Sequence, residues 1–130
     1  MNREIKFRFW GKFGELNEED DECEMEMLYG NRFCFFESEP INDLFACRNF
    51  QVMQYTGLKD KNGKEIYEGD ILTNSYGKID VVIFYENGFF GKSNSNMGKN
   101  YYWYNPLSSD YIKNKEVIGN IYENPELLKK

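Results

Sequence analysis

Apolar and polar residues alternate with a period of two along much of the chain. Ile5, Phe7 and Phe9 interleave with Glu4, Lys6 and Arg8, which predicts a half-buried strand. Trp10 extends the apolar character to the other face, and Gly11-Lys12-Phe13-Gly14 predicts a turn. Cys23, Met25 and Met27 alternate with Glu22, Glu24 and Glu26, the pattern of a strand with an acidic outer face. Tyr29-Gly30-Asn31 reads as a turn into a further strand, Arg32-Phe33-Cys34-Phe35-Phe36. Pro40 suits a first helical position, and Ile41, Leu44 and Phe45 follow at helical spacing, so one short helix is expected there. Residues 50–56 return to strand character.

The middle of the chain is punctuated by turn residues. Gly57 is expected to break the strand that ends in Tyr55-Thr56. Asp60-Lys61-Asn62-Gly63 is a turn, because Asp can accept from backbone amides ahead of it and Asn-Gly tolerates positive φ. Glu68-Gly69-Asp70 is a second tight turn that re-aims the chain into Ile71-Leu72. Asn74 to Lys78 forms a loop. Ile79 to Tyr85 carries Ile79, Val81 and Ile83 on one side and Val82 and Phe84 on the other, as a strand inside a sheet or barrel wall does. Asn87-Gly88 is a hairpin signal, with Phe89-Phe90 opening the return strand. A polar loop over 93–100 precedes the aromatic strand Tyr101-Tyr102-Trp103-Tyr104, which Asn105-Pro106 ends. A helical turn within 107–114, a strand over 117–122 and a short helix capped by Asn124, with Pro125 at its first position and Glu126 in its first turn, complete the chain.

These elements predict a mainly β chain with one or two short helices. Short, bent strands with glycines at the corners suit an SH3-type small barrel in the C-terminal half, with the N-terminal strands added to it. No repeat or linker divides the sequence, so 1–130 reads as one domain with its barrel core at about 50–124.

Composition refines this picture. The 130 residues include 11 Phe, 10 Tyr and 2 Trp, enough for a core without disulfide staples. The net charge of -6 disfavours general affinity for nucleic acid, although a local basic patch remains compatible with it. Cys23, Cys34 and Cys47 are odd in number and lack metal-ligand spacing, so they read as reduced thiols with apolar neighbours. No apolar run reaches membrane-spanning length and Met1-Asn2-Arg3-Glu4 starts no signal peptide, which leads to the expectation of a cytoplasmic protein without membrane association.

Three segments resemble one family. Residues 54–72, QYTGLKDKNGKEIYEGDIL, are similar to the signature of the YopX family of bacteriophage and prophage proteins. Residues 116–128, EVIGNIYENPELL, resemble its C-terminal signature, and Arg3-Glu4-Ile5-Lys6-Phe7-Arg8 resembles its start. The family usually continues with a small residue and Trp-Asp, from which Phe9-Trp10-Gly11 departs. The resemblance implies an SH3-type barrel core and a phage or prophage gene in a Gram-positive-like host. It implies no activity.

The candidate chemistry is sparse. The chain contains no His, the commonest general base and metal ligand, and no phosphate loop, nucleophile elbow or cysteine metal motif. No cofactor or metal is expected. Glu68 and Asp70 are the first suspects for a carboxylate-dependent enzyme, but an Asp beside Gly69 more simply fixes its own turn. The acidic run from Glu18 to Glu26 lacks the glycine of a calcium loop and reads as solvated, with mimicry of DNA as a minor alternative. Tyr101, Tyr102, Trp103 and Tyr104 are the candidate partner-binding residues, with Lys92, Lys99 and Lys113 nearby. Exposed, they could stack bases or grip a Pro-rich peptide; buried, they would fill a barrel or an intersubunit contact. Gly57, Asn62, Gly63, Gly69, Asp70, Asn87 and Gly88 are assigned to turns. The expected function is a non-catalytic binding module for a host or phage macromolecule, with self-association and binding of single-stranded nucleic acid as alternatives.

Overall fold

The structure is a computed structural model that describes residues 4–12, 25–29, 51–94 and 101–128. The expected strand at 32–36, the helix from Pro40, the acidic loop up to residue 24, all three cysteines and Lys99 lie outside those residues. The chain divides into two compact units, one of residues 6–54 and one of residues 1–5 with 55–130.

In the smaller unit, β1 (Phe7–Lys12) lies between β2 (Met25–Tyr29) and the first half of β3 (Gln51–Lys59), all antiparallel. The turn expected at Gly11 gives way to strand, because Gly11 and Lys12 pair with Glu26 and Met25. Arg8 is buried, and its guanidinium carbon lies 5.9 Å from the centre of the Tyr29 ring, where a desolvated cation meets a π face.

In the larger unit, β3 runs on through Gly57, where a break was expected, and pairs with β4 (Glu65–Tyr67). Gly57 takes φ 85 and the register shifts between the pairs Tyr55–Tyr67 and Lys59–Glu65. Thr56 bridges this irregularity: its Oγ1 donates to the Ile66 carbonyl at 2.7 Å and accepts from the Leu58 amide at 3.2 Å. Glycine thus bulges the strand instead of ending it.

Both turns around β4 form as their residues predict. Asp60 Oδ1 accepts from the amides of Asn62 at 2.9 Å and Lys64 at 2.8 Å, and Gly63 takes φ 82. Asp60 Oδ2 accepts from the Val117 amide at 2.9 Å, so one buried carboxylate ties this hairpin to the last strand. Asp70 Oδ2 accepts from the Tyr67 amide at 2.8 Å and closes the turn at Gly69.

A five-stranded antiparallel sheet follows, from β5 (Asp70–Thr73), β6 (Ile79–Tyr85), β7 (Gly88–Asn94), β8 (Tyr102–Pro106) and β9 (Glu116–Asn120), in the order β8-β7-β6-β5-β9. β6 is internal, as its two-sided apolar pattern predicts. The chain is mainly β, and the ladder is open: among the described residues no pairing joins β8 to β9. β8 reaches through Asn105 to Pro106, which has no N–H and is tolerated at an edge.

The β6–β7 turn is displaced by one residue from Asn87-Gly88. Tyr85 pairs with Gly88, so Glu86 and Asn87 form the loop, and Glu86 takes φ 53. Ile66, Leu72, Val82 and Ile112 form the core of this unit, each at most 3% exposed, with Leu58, Leu107, Tyr111 and Val117 packed against them. Burial of each such aliphatic side chain is worth roughly 1.5–3 kcal/mol. Ile112 comes from α1 (Ser109–Ile112), whose cap Ser108 accepts from the Tyr111 amide at 3.2 Å. A 3-10 helix, Pro125–Leu128, closes the described chain. Asn124 does not cap it with its side chain; its Oδ1 accepts from the Asn120 amide at 3.2 Å.

Candidate functional site

Strand β8 carries three of the aromatic residues singled out above, Tyr101 directly precedes it, and each of the four is exposed: Tyr101 62%, Tyr102 39%, Trp103 51% and Tyr104 49%. In register, Tyr102 faces Asn94, Trp103 faces Ser93 and Tyr104 faces Lys92. Alternation therefore puts Tyr102 and Tyr104 on one side of the ribbon and Trp103 on the other. The Lys92 ammonium stands 4.1 Å from the centre of the Tyr102 ring, a cation–π contact. Tyr85 lies 6.2 Å from Tyr104, ring to ring. Exposure of this row, rather than burial, follows from its place on a sheet edge.

Beside the ribbon lies an open groove of about 790 Å³. Its floor is the outer side of β6, Ile79, Val81 and Ile83, and Ile121, Leu127 and Leu128 form one wall. Tyr76, Lys78, Lys92, Asn94 and Tyr102 supply rings and polar groups around it, and Trp103 also lines it. Tyr76 is 93% exposed. Its loop is nonetheless well tied: Asn74 Oδ1 accepts from the amides of Tyr76 at 2.9 Å and Lys78 at 3.0 Å, and Gly77 takes φ 76. Tyr76 and Lys78 did not stand out in the sequence. The available signal was the order Asn-x-Tyr-Gly-Lys, in which an Asx turn and a left-handed glycine present the ring and the ammonium that flank them. Lys113, by contrast, pairs with Asp110 on α1 at 3.4 Å and does not line the groove.

The opposite side of β6 holds a buried polar cluster that sequence reasoning missed. Asp80, 0% exposed, receives both the Lys115 ammonium at 2.9 Å and the Tyr111 hydroxyl at 2.6 Å on Oδ2. Lys115 also stands 4.5 Å from the centre of the Tyr111 ring. Burial first, then the hydrogen bond and charge of Asp80, hold the Tyr111 phenol well above its ordinary range. A Cβ on Gly91 would meet Tyr111 at 3.2 Å and Asp80 at 3.3 Å, so the glycine leaves room for the cluster. Asp80 Oδ1 and the buried Ser93 hydroxyl have no hydrogen-bond partner among the described residues. The signal was a lone Asp within an otherwise apolar internal strand, which calls for a buried cation or donor.

Glu68 and Asp70 are the carboxylates suspected of catalysis. Asp70 is buried and spends an oxygen on its own turn. Among the described residues there is no group of three or more His, Cys, Asp or Glu that could hold a metal ion, nor a helix long and apolar enough to cross a membrane.

The fold and its surface thus define a class: a small, strand-rich chain that presents an aromatic edge strand beside a shallow groove. Residues 6–129 match the family described as "YopX protein", and the chain belongs to the YopX family. It is also similar to a solved structure titled "Crystal structure of protein EF1440 from Enterococcus faecalis", with 24% identity and a TM-score of 0.56 over 98% of this chain and 100% of that one. At that identity the likeness shows the fold alone. No curated protein matches the chain significantly.

Proposed function

We propose that this chain is a non-catalytic binding module, encoded by a phage or prophage, that acts in the host cytoplasm and grips its partner on the β8 ribbon and the adjoining groove. The observation that carries this reading is the exposure of Tyr101 and of the three rings on β8, with Tyr102 beside the apolar side chains of β6 that line the groove. Exposed aromatic rows of this kind mark recognition surfaces, because each ring offers large contact area at low entropic cost. In this reading the larger unit is an SH3-type barrel left open at the β8 edge, and that edge is what the partner meets. The test is affinity capture from bacterial lysate with the wild type and with a Tyr102→Ala/Trp103→Ala variant. A partner bound by the wild type and lost by the variant supports the reading. Equal capture by both overturns it.

A further inference from the structure

The groove and its rim point to a specific class of partner, and this inference rests on the binding-module reading above. The chain carries a net charge of -6, yet no Asp or Glu lines the groove. Its charged lining residues are Lys78 and Lys92, and neither forms an ion pair among the described residues. The two ammonium groups are carried with aromatic rings: Lys92 lies against Tyr102, and Lys78 follows Tyr76 in a loop held by Asn74. An uncompensated cation pair in an acidic protein selects for an anionic ligand by charge complementarity. Flat rings beside those cations select for a ligand with flat, unpaired faces between its charges. A duplex hides its base faces, and a Pro-rich peptide has no use for the cations.

We infer that the groove binds single-stranded nucleic acid, with bases stacked on Tyr102 and Tyr76 and phosphates beside Lys78 and Lys92. The apolar floor of Val81 and Ile83 would take the face of a base or sugar. Base contacts by stacking are tolerant of sequence, so little sequence preference is expected. With two phosphate contacts, the logarithm of the binding constant falls with the logarithm of salt concentration with a slope of about -1.4. Each lysine removed lowers that slope by about 0.7.

The experiment is fluorescence anisotropy of labelled oligothymidylate and oligouridylate of about 12 nucleotides, within the ~4–16 nucleotides that comparable stacking folds cover. The full chain is compared with Tyr102→Ala and with Lys78→Gln/Lys92→Gln, all at exposed or half-exposed positions and checked by thermal melting. Saturable binding of either oligonucleotide, weakened about 5- to 150-fold by Tyr102→Ala and stripped of its salt dependence by the lysine pair, supports the inference. No saturable binding by the wild type at low salt overturns it, as does binding that both variants leave unchanged. Lysate capture that survives nuclease treatment and still depends on Tyr102 and Trp103, together with no oligonucleotide binding, overturns this inference while leaving the binding-module reading intact.

Discussion

Replacing Lys115 by Met probes the cluster beneath β6 most sharply. The change keeps most of the side-chain volume and removes the charge that faces Asp80 at 2.9 Å. Both partners are enclosed, with side-chain exposures of 8% for Lys115 and 0% for Asp80, so solvent screening is weak. At 2.9 Å the Coulomb attraction is about 6 kcal/mol at an effective dielectric constant of ~20, most of it offset by the desolvation of both ions. The net worth of the pair is therefore small, while the cost of breaking it is large. Lys115→Met leaves a buried carboxylate with the Tyr111 hydroxyl alone, which costs about 3–5 kcal/mol. With a urea m-value of about 2 kcal/mol/M, the midpoint moves down by about 1.5–2.5 M. Asp80→Asn combined with Lys115→Met removes both charges and should recover at least half of that loss, measured as a coupling energy in a double-mutant cycle. A Lys115→Met loss below about 1 kcal/mol, the value of a solvated surface pair, would show that Asp80 does not depend on the buried ammonium.

Other parts of the larger unit give independent checks. Tyr111 keeps its proton in the folded state above the pH at which an ordinary phenol, at 10.0, loses it, so its contribution to stability is complete below pH 10 and declines as pH rises further. In alkaline difference spectroscopy Tyr111→Phe should remove a late-titrating tyrosine from the folded wild type; a variant curve that loses only an ordinary, early-titrating phenol contradicts this. Glu86 holds a left-handed φ of 53 as the first residue of a two-residue hairpin loop, where Gly is the favoured residue. Glu86→Gly should stabilise by up to about 1 kcal/mol in chemical denaturation, and a loss of stability would show that the side chain has a role in the turn. A Cβ on Gly119 would sit 2.5 Å from Asn124 Oδ1, so Gly119→Ala should cost about 1–3 kcal/mol and Asn124→Ala should relieve part of it in the same background. Strict additivity of the two changes would rule out the clash.

Local chemistry was legible where the determinant lies within a few residues. Asp60 with Gly63, and Asp70 with Gly69, encode their own turns, since each carboxylate accepts from backbone close by in sequence. Alternation placed β1 and β2, and two-sided apolarity placed β6 inside the sheet. Glycine was the misleading signal. Gly11 and Gly57 look like breaks, but each sits in a strand whose ladder needs only backbone atoms. Asn87-Gly88 looks like a hairpin turn, but the register of Tyr85 with Gly88 moves the loop one residue back. The candidate surface was half legible. The rings of β8 announce themselves as a run, whereas their exposure depends on which strand ends the sheet. Tyr76 and Lys78 join them only through the packing of a distant loop, and Asp80 meets Lys115 and Tyr111 across a separation in sequence that periodicity cannot see.

The acid-free groove and its aromatic rim are the proposed recognition surface. Nitrogen-15 heteronuclear NMR of the full chain, titrated with oligothymidylate, tests it residue by residue. Progressive shifts are expected at Tyr76, Lys78, Lys92 and Tyr102, with the amides around Asp60 and Asp70 unmoved. Shifts confined to other surfaces, or none at low salt and millimolar oligonucleotide, would contradict it.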